Sequence, residues 1–348
     1  MANDTWQGNY PDSWYTASDW SAGLPGANDD VIIDQGDPVV GTTPMGDSPF
    51  TVAAITIAGS AQLTFDDSVS CTVTGGVTDS GAIYFDSASG EGGSILTIDG
   101  ELSNGSLLIG NAALSAESVM TVESVDNPLG GSIYIYGDDS PSHPHQAILD
   151  IKSAASLDGE SDGVLSGSVT LGDDAVLEFA SGQINTISGD LNMTGATAFV
   201  ADAGSLTSNS ALQGLTTNNG QLDVSDVDIQ MTAAAGLTNT ATFYVDQGGS
   251  GSNIAIAGAL SNEGYASLYI GNPGMAASDM VSAASFSNSA QSTFIIAGTD
   301  TGGPTNYQAV LKIAGAASLG TGAGVVWGVG VVGRQPLIPH RRALRSSS

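Results

Sequence analysis

Basic residues are nearly missing from this sequence: six lysines and arginines stand against 36 acidic residues in 348. A nucleic-acid backbone is neutralised by Lys and Arg, so nucleic acid is excluded as a partner. Cysteine is scarcer still. Cys71 alone leaves no intrachain disulfide to form, and the fold must hold by packing and backbone ladders. No run reaches the roughly 18 apolar residues of a membrane span. The opening MANDTWQGNY has neither the basic nor the apolar region of an export signal. Aromatics make up 6% of residues against 47 glycines, which argues against a helical bundle and for short strands joined by turns.

What is present argues for a folded chain. A formal charge of −30 accompanies a mean hydropathy of +0.11, whereas disorder needs low hydrophobicity as well as high charge. Of the acids, 29 are Asp and 7 are Glu. The short Asp side chain bonds its own backbone in turns, so turn chemistry explains the bias, with weak, scattered calcium binding as the functional rival.

The middle of the chain is duplicated. GGVTDSGAIYFD (75–86) matches AGLTNTATFYVD (235–246) at an offset of 160, with Val77 on Leu237, Ile83 on Phe243 and Phe85 on Val245. Ile95–Asn127 then matches Asn253–Asn288, and Ser132–Leu157 matches Thr293–Leu319, with the offset reaching 162. Residues 72–170 therefore recur at 232–332, linked by 171–231. Runs such as Leu96-Thr97-Ile98 punctuated by Gly, Asn, Asp or Ser predict strands of about five residues. Few Asn-Gly hairpin turns occur, which favours a coil over an antiparallel sandwich. The expected fold is all-β, a right-handed parallel β-helix or β-solenoid. With coils of roughly 20–25 residues, about a dozen would make a rod roughly 60 Å long.

Residues 1–50 read as an N-terminal cap with the first coils, and 51–333 as the solenoid. Trp6, Trp14 and Trp20 crowd into the first twenty residues. An open solenoid end must be covered, and large aromatics cover the most area; the alternative role for these rings is a platform for sugars. The text TWQGNYPDSWYTASDWSAGLPGANDDVIID, from Thr5 to Asp34, places Trp14, Ala17, Trp20, Ser21, Gly23, Pro25, Asp29, Val31 and Ile33 on a pattern. That pattern resembles the opening of large bacterial β-strand-repeat surface proteins, the autotransporter passenger-like and haemagglutinin-like adhesins. The repeat phrases at Gly100–Asn111 and Leu114–Val122 resemble the same group. The resemblance implies an exported, non-enzymatic rod, extracellular or cell-surface, acting on a host or neighbouring-cell surface and its glycans, with no cofactor.

Four of the six basic residues, Arg334, Arg341, Arg342 and Arg345, fall in the last 15 positions. The repeat also loses its match near Trp327, so 334–348 reads as a basic tail that docks on an acidic surface or, as the preferred explanation, as the product of a frameshift or truncated gene read out of register after about residue 326.

Catalysis finds little support in the sequence. Adjacent acids at Asp29-Asp30, Asp66-Asp67, Asp138-Asp139 and Asp173-Asp174 point to opposite faces of a strand. Only Lys152 and Lys312 precede the tail, and an anionic body repels polyuronates. His143-Pro144-His145 becomes Pro304-Thr305-Asn306 in the second copy, so it reads as a variable loop rather than a metal site, and Cys71 aligns with Met231 as a small apolar filler. No catalytic, cofactor or metal residue is expected. The alternative function is a polysaccharide-binding or polysaccharide-degrading β-helix. Resequencing the gene tests the frameshift: a change of frame near residue 326 is expected, and one uninterrupted frame with a functional stop contradicts it.

Overall fold

The computed structural model describes residues 2–8, 11–41, 49–66, 68–138, 144–159, 161–246, 251–298, 307–321 and 323–327. His143, Asp67, Asp139 and the basic tail 334–348 lie outside them. The described residues are almost entirely strand and turn. Every strand pairing recorded between named strands is parallel, as in Ile83 with Leu107 and Phe243 with Leu268. Two single 3-10 turns, Ala17–Asp19 and Ser210–Leu212, complete the inventory. The chain is a right-handed parallel β-solenoid.

Each coil contributes one strand to a 13-stranded sheet, and the other faces belong to an 11-stranded and a 9-stranded sheet. Twelve steps of about 4.8 Å make the longest sheet about 58 Å long. Coil length is less regular than the expected 20–25 residues. Thr64 pairs with Tyr84 but Tyr134 with Thr170, because excursions are carried at the corners while the stacked strands keep register.

The alternation read from sequence sets the core. Ile83, Leu107, Ile133, Val169, Leu191, Leu222 and Phe243 stack in consecutive rungs and are all essentially buried. The duplication appears as equal register: Ile83–Leu107–Ile133 in copy one is answered by Phe243–Leu268–Phe294 in copy two. One correspondence shifts. Cys71 pairs with Leu96 and Ile229 with Ile254. The residue structurally equivalent to Cys71 is therefore Ile229 rather than Met231; the turn that follows is two residues longer in copy one's counterpart.

Buried asparagines tie the rungs at one corner. Asn218 Nδ2 donates to Asn239 Oδ1 at 2.8 Å, Asn239 to Asn262 at 2.7 Å, and Asn262 to Asn288 at 2.6 Å. Each amide also donates to a backbone carbonyl on the next rung. Copy one has a shorter run, Asn104 to Asn127, preceded in register by Asp79, whose carboxylate accepts from the backbone of Gly81, Gly105 and Ser106. Burial raises the Asp79 pKa, and those donors pull it back.

The cap is an aromatic pile. Trp20 meets Trp6 edge-on at 4.9 Å and Trp14 at 4.6 Å, and Trp14 stacks on Phe50 at 4.5 Å. Phe50, Phe65 and Phe85 carry the contacts into the core. Trp20 Nε1 donates to the Trp14 carbonyl at 2.7 Å, and buried Asp4 pins the turn after Trp20 by accepting from Ser21 Oγ and Ala22 N. The cap is continuous with the coils, since Ala2–Thr5 pairs with Asp29–Ile33.

Asn262 both accepts and donates within the ladder. Asn262→Ala should therefore cost about 2–4 kcal/mol, the loss of its bonds with Asn239, Asn288 and the Thr293 carbonyl, with a buried acceptor stranded on Asn288. Outward-facing Thr97→Ala should stay within about 0.5 kcal/mol. Urea unfolding checks both, and equal effects would contradict the ladder's role.

Candidate functional site

The tryptophans of the cap are not available as a sugar platform. Trp6, Trp14 and Trp20 are 1%, 1% and 3% exposed, so their rings are spent covering the solenoid end.

Accessible aromatics lie elsewhere: Tyr265 in the turn before the strand Ser267–Ile270, and a set on the outer side of the 13-stranded sheet. In the strand Ala82–Phe85, Ile83 and Phe85 point inward, which turns Tyr84 outward. Parallel register then builds an outer column, Tyr84–Leu108–Tyr134 in copy one and Tyr244–Tyr269–Ile295 in copy two. Thr170, Asn192 and Asp223 separate the two groups. Tyr244 and Tyr269 stack at 4.8 Å and 25°. Two residues earlier in each strand runs a second outer column, with Ser106, Ser132 and Ser168 in copy one and Thr242, Ser267 and Thr293 in copy two.

The face thus presents flat rings beside rows of hydroxyls on a rigid sheet. Tyrosine offers an apolar ring and a polar tip at low conformational cost. Six rungs separate Tyr84 from Tyr244, about 29 Å at the inter-strand spacing. Asp223 lies in this column, and partial burial, with Asp246 nearby, pushes its carboxyl up to about 6. Burial raises the Tyr244 phenol, helped by Tyr269 and Asp223. Composition gave no sign of the column, because alignment of one rung on the next depends on corner lengths.

A concavity about 410 Å³ in volume opens where one face is interrupted between the copies. The strand Phe199–Asp202 ends the 11-stranded sheet, and Asp228–Met231 pairs only with Asn253–Asn262. Asn209 bridges the gap: its Oδ1 accepts from Val200 N at 2.8 Å and its Nδ2 donates to the Asp228 carbonyl at 3.0 Å. Phe199, Thr207, Ser208, Gln213 and Gln230 line the remaining space.

Among the described residues, no three His, Cys, Asp or Glu side chains are arranged to hold a metal ion. His145 serves the fold through its backbone carbonyl, which accepts from Asp138 N. Lys152 is bonded to Asp150, the ion pair among the described residues. No described helix is long and apolar enough to cross a membrane.

Cys71 is 2% exposed, and burial pushes its thiol up to about 12. Since the thiolate is the reactive form, native protein at pH 8 should resist a thiol-specific reagent while urea-unfolded protein reacts fully. Rapid labelling of the native chain, read by mass spectrometry, would contradict the packing. Comparison of the chain with family models, with curated proteins and with solved structures finds no match.

Proposed function

We propose that this chain is a non-enzymatic, adhesin-type rod, secreted or displayed at a cell surface. In this reading it is a piece of a larger autotransporter or haemagglutinin-like protein, and the outer face of its 13-stranded sheet binds a repeating, uncharged glycan on a host or neighbouring cell. The observation that carries the reading is the outward tyrosine column, repeated in both copies beside rows of hydroxyls.

The ligand class follows from the surface. Rings and hydroxyls suit a neutral polar polymer, and a charge of −30 opposes polyanions. Two equivalent patches about 29 Å apart favour a polymer long enough to engage both, because the second contact is then intramolecular. The aromatic-rich start and the repeat phrases support the adhesin assignment through their resemblance to bacterial surface proteins.

Binding to arrayed neutral and acidic glycans tests the reading. The intact chain should bind neutral polymers, and Tyr244→Ala with Tyr269→Ala should weaken binding about a hundredfold by removing one of two linked patches. Unchanged binding in this variant would remove the face from the account, and shortened glycan products would replace adhesion with degradation.

A further inference from the structure

The two copies differ at one buried polar corner. In copy one, Asp86 is fully buried, and its carboxylate accepts from Ser94 N at 2.9 Å, Ser94 Oγ at 2.6 Å and Ser118 Oγ at 2.6 Å. In copy two the corresponding residues are Asp246, Ser252 and Asp279. The correspondence is structural. Asp86 N donates to the Phe65 carbonyl as Asp246 N does to Val224. Val69 N donates to Ser94 Oγ as Val227 N does to Ser252 Oγ. Ser118 pairs with Ala147 as Asp279 pairs with Ala309.

Where copy one places a hydroxyl donor, copy two therefore places a second carboxyl. Asp246 and Asp279 are both 0% exposed and stand in the places of Asp86 and Ser118, whose side-chain oxygens meet at 2.6 Å in copy one, while Asp279 Oδ1 accepts from Ser252 N at 2.8 Å and its Oδ2 is buried with no donor. A hydrogen bond between two carboxyl groups requires a proton, and adjacent buried carboxylates cannot both ionise cheaply. Of the groups around them, Asp246 raises the Asp223 carboxyl, and Asn192 and Tyr244 flank Asp223 on the adjacent rungs. The strand Ala309–Ile313 presents Ala309 to Asp279 and aligns Lys312 with Ser282. Of the other described cationic side chains, Lys152 is bonded to Asp150 and His145 lies in copy one.

We propose that Asp246 and Asp279 form a proton-sharing latch, built only into the second copy, that holds this corner in acid and loosens it as the pH rises to neutrality. Burial first, then the presence of Asp246, pushes the Asp279 carboxyl from 3.8 up to about 7. Its folded pKa is raised, so the folded state keeps a proton that the unfolded chain has lost between these two values. The stabilisation is complete below that window, falls by roughly tenfold in folding constant per pH unit through it, and is level above it. Other raised carboxyls, Asp37, Asp79, Asp174 and Asp223, slope the same way, so the latch is read as a difference between variants.

Urea unfolding of the full chain from pH 4 to 8 tests the latch, with calcium chloride or a chelator added at pH 8. Asp279→Ser, which copies the neutral arrangement of copy one, should reduce the proton uptake linked to folding by about one and stabilise the protein at pH 8. Ser118→Asp should add a comparable slope to copy one, which keeps the test decisive if Asp279→Ser fails to fold. An unchanged slope in both variants overturns the proposal. So does stabilisation of the unaltered protein by calcium that Asp279→Ser abolishes, because the carboxyls would then hold a cation rather than a proton.

Discussion

Everything in this molecule depends on the in-register parallel ladder between successive coils. Each rung donates to and accepts from its neighbours along three faces, so a side chain's environment is set by the residues above and below it. A residue type that recurs once per coil becomes a column. Inward columns of Ile, Leu, Val and Phe make the core, a corner column of Asn makes the amide ladder, and an outward column of Tyr makes the proposed binding face. The single ladder explains how the described residues, with no disulfide and one ion pair among them, are held together.

Column logic also carries risk. Like groups are stacked upon like, which helps apolar and amide side chains and harms carboxylates. Asp79 beneath Asn104, Asp223 beneath Tyr244, and Asp246 against Asp279 show three answers to an acid placed in a column. The first is held by backbone N–H donors, the second sits at the outer surface, and the third shares its corner with another acid. In copy one, Ser118 meets the same need with a neutral hydroxyl.

Much of the architecture was legible in the sequence because inward positions alternate with outward ones and the duplication repeats that phase. Ile83 with Phe243 and Leu107 with Leu268 could be matched without coordinates. The sites were less legible. Tyr84, Leu108 and Tyr134 share a column only because two corners of different length return their strands to register. Such lengths vary between coils, from the 20 residues separating Thr64 and Tyr84 to the 36 separating Tyr134 and Thr170. The same variation moved the counterpart of Cys71 from Met231 to Ile229. Trp6, Trp14 and Trp20 drew attention by rarity, yet a ring's role depends on burial, and the cap's geometry encloses all three.

The register itself can be tested by cross-linking. Ser106 and Ser132 pair on adjacent rungs of copy one, as Ser267 and Thr293 do in copy two, at about the 4.8 Å inter-strand spacing that a disulfide can span. Mild oxidation of native Ser106→Cys/Ser132→Cys and Ser267→Cys/Thr293→Cys variants should yield the matching linked peptides by mass spectrometry. A Ser106→Cys/Tyr136→Cys pair, displaced by four residues along the strand, should not. Failure of both in-register pairs, or equal linkage of the displaced pair, would contradict the stacked, duplicated solenoid.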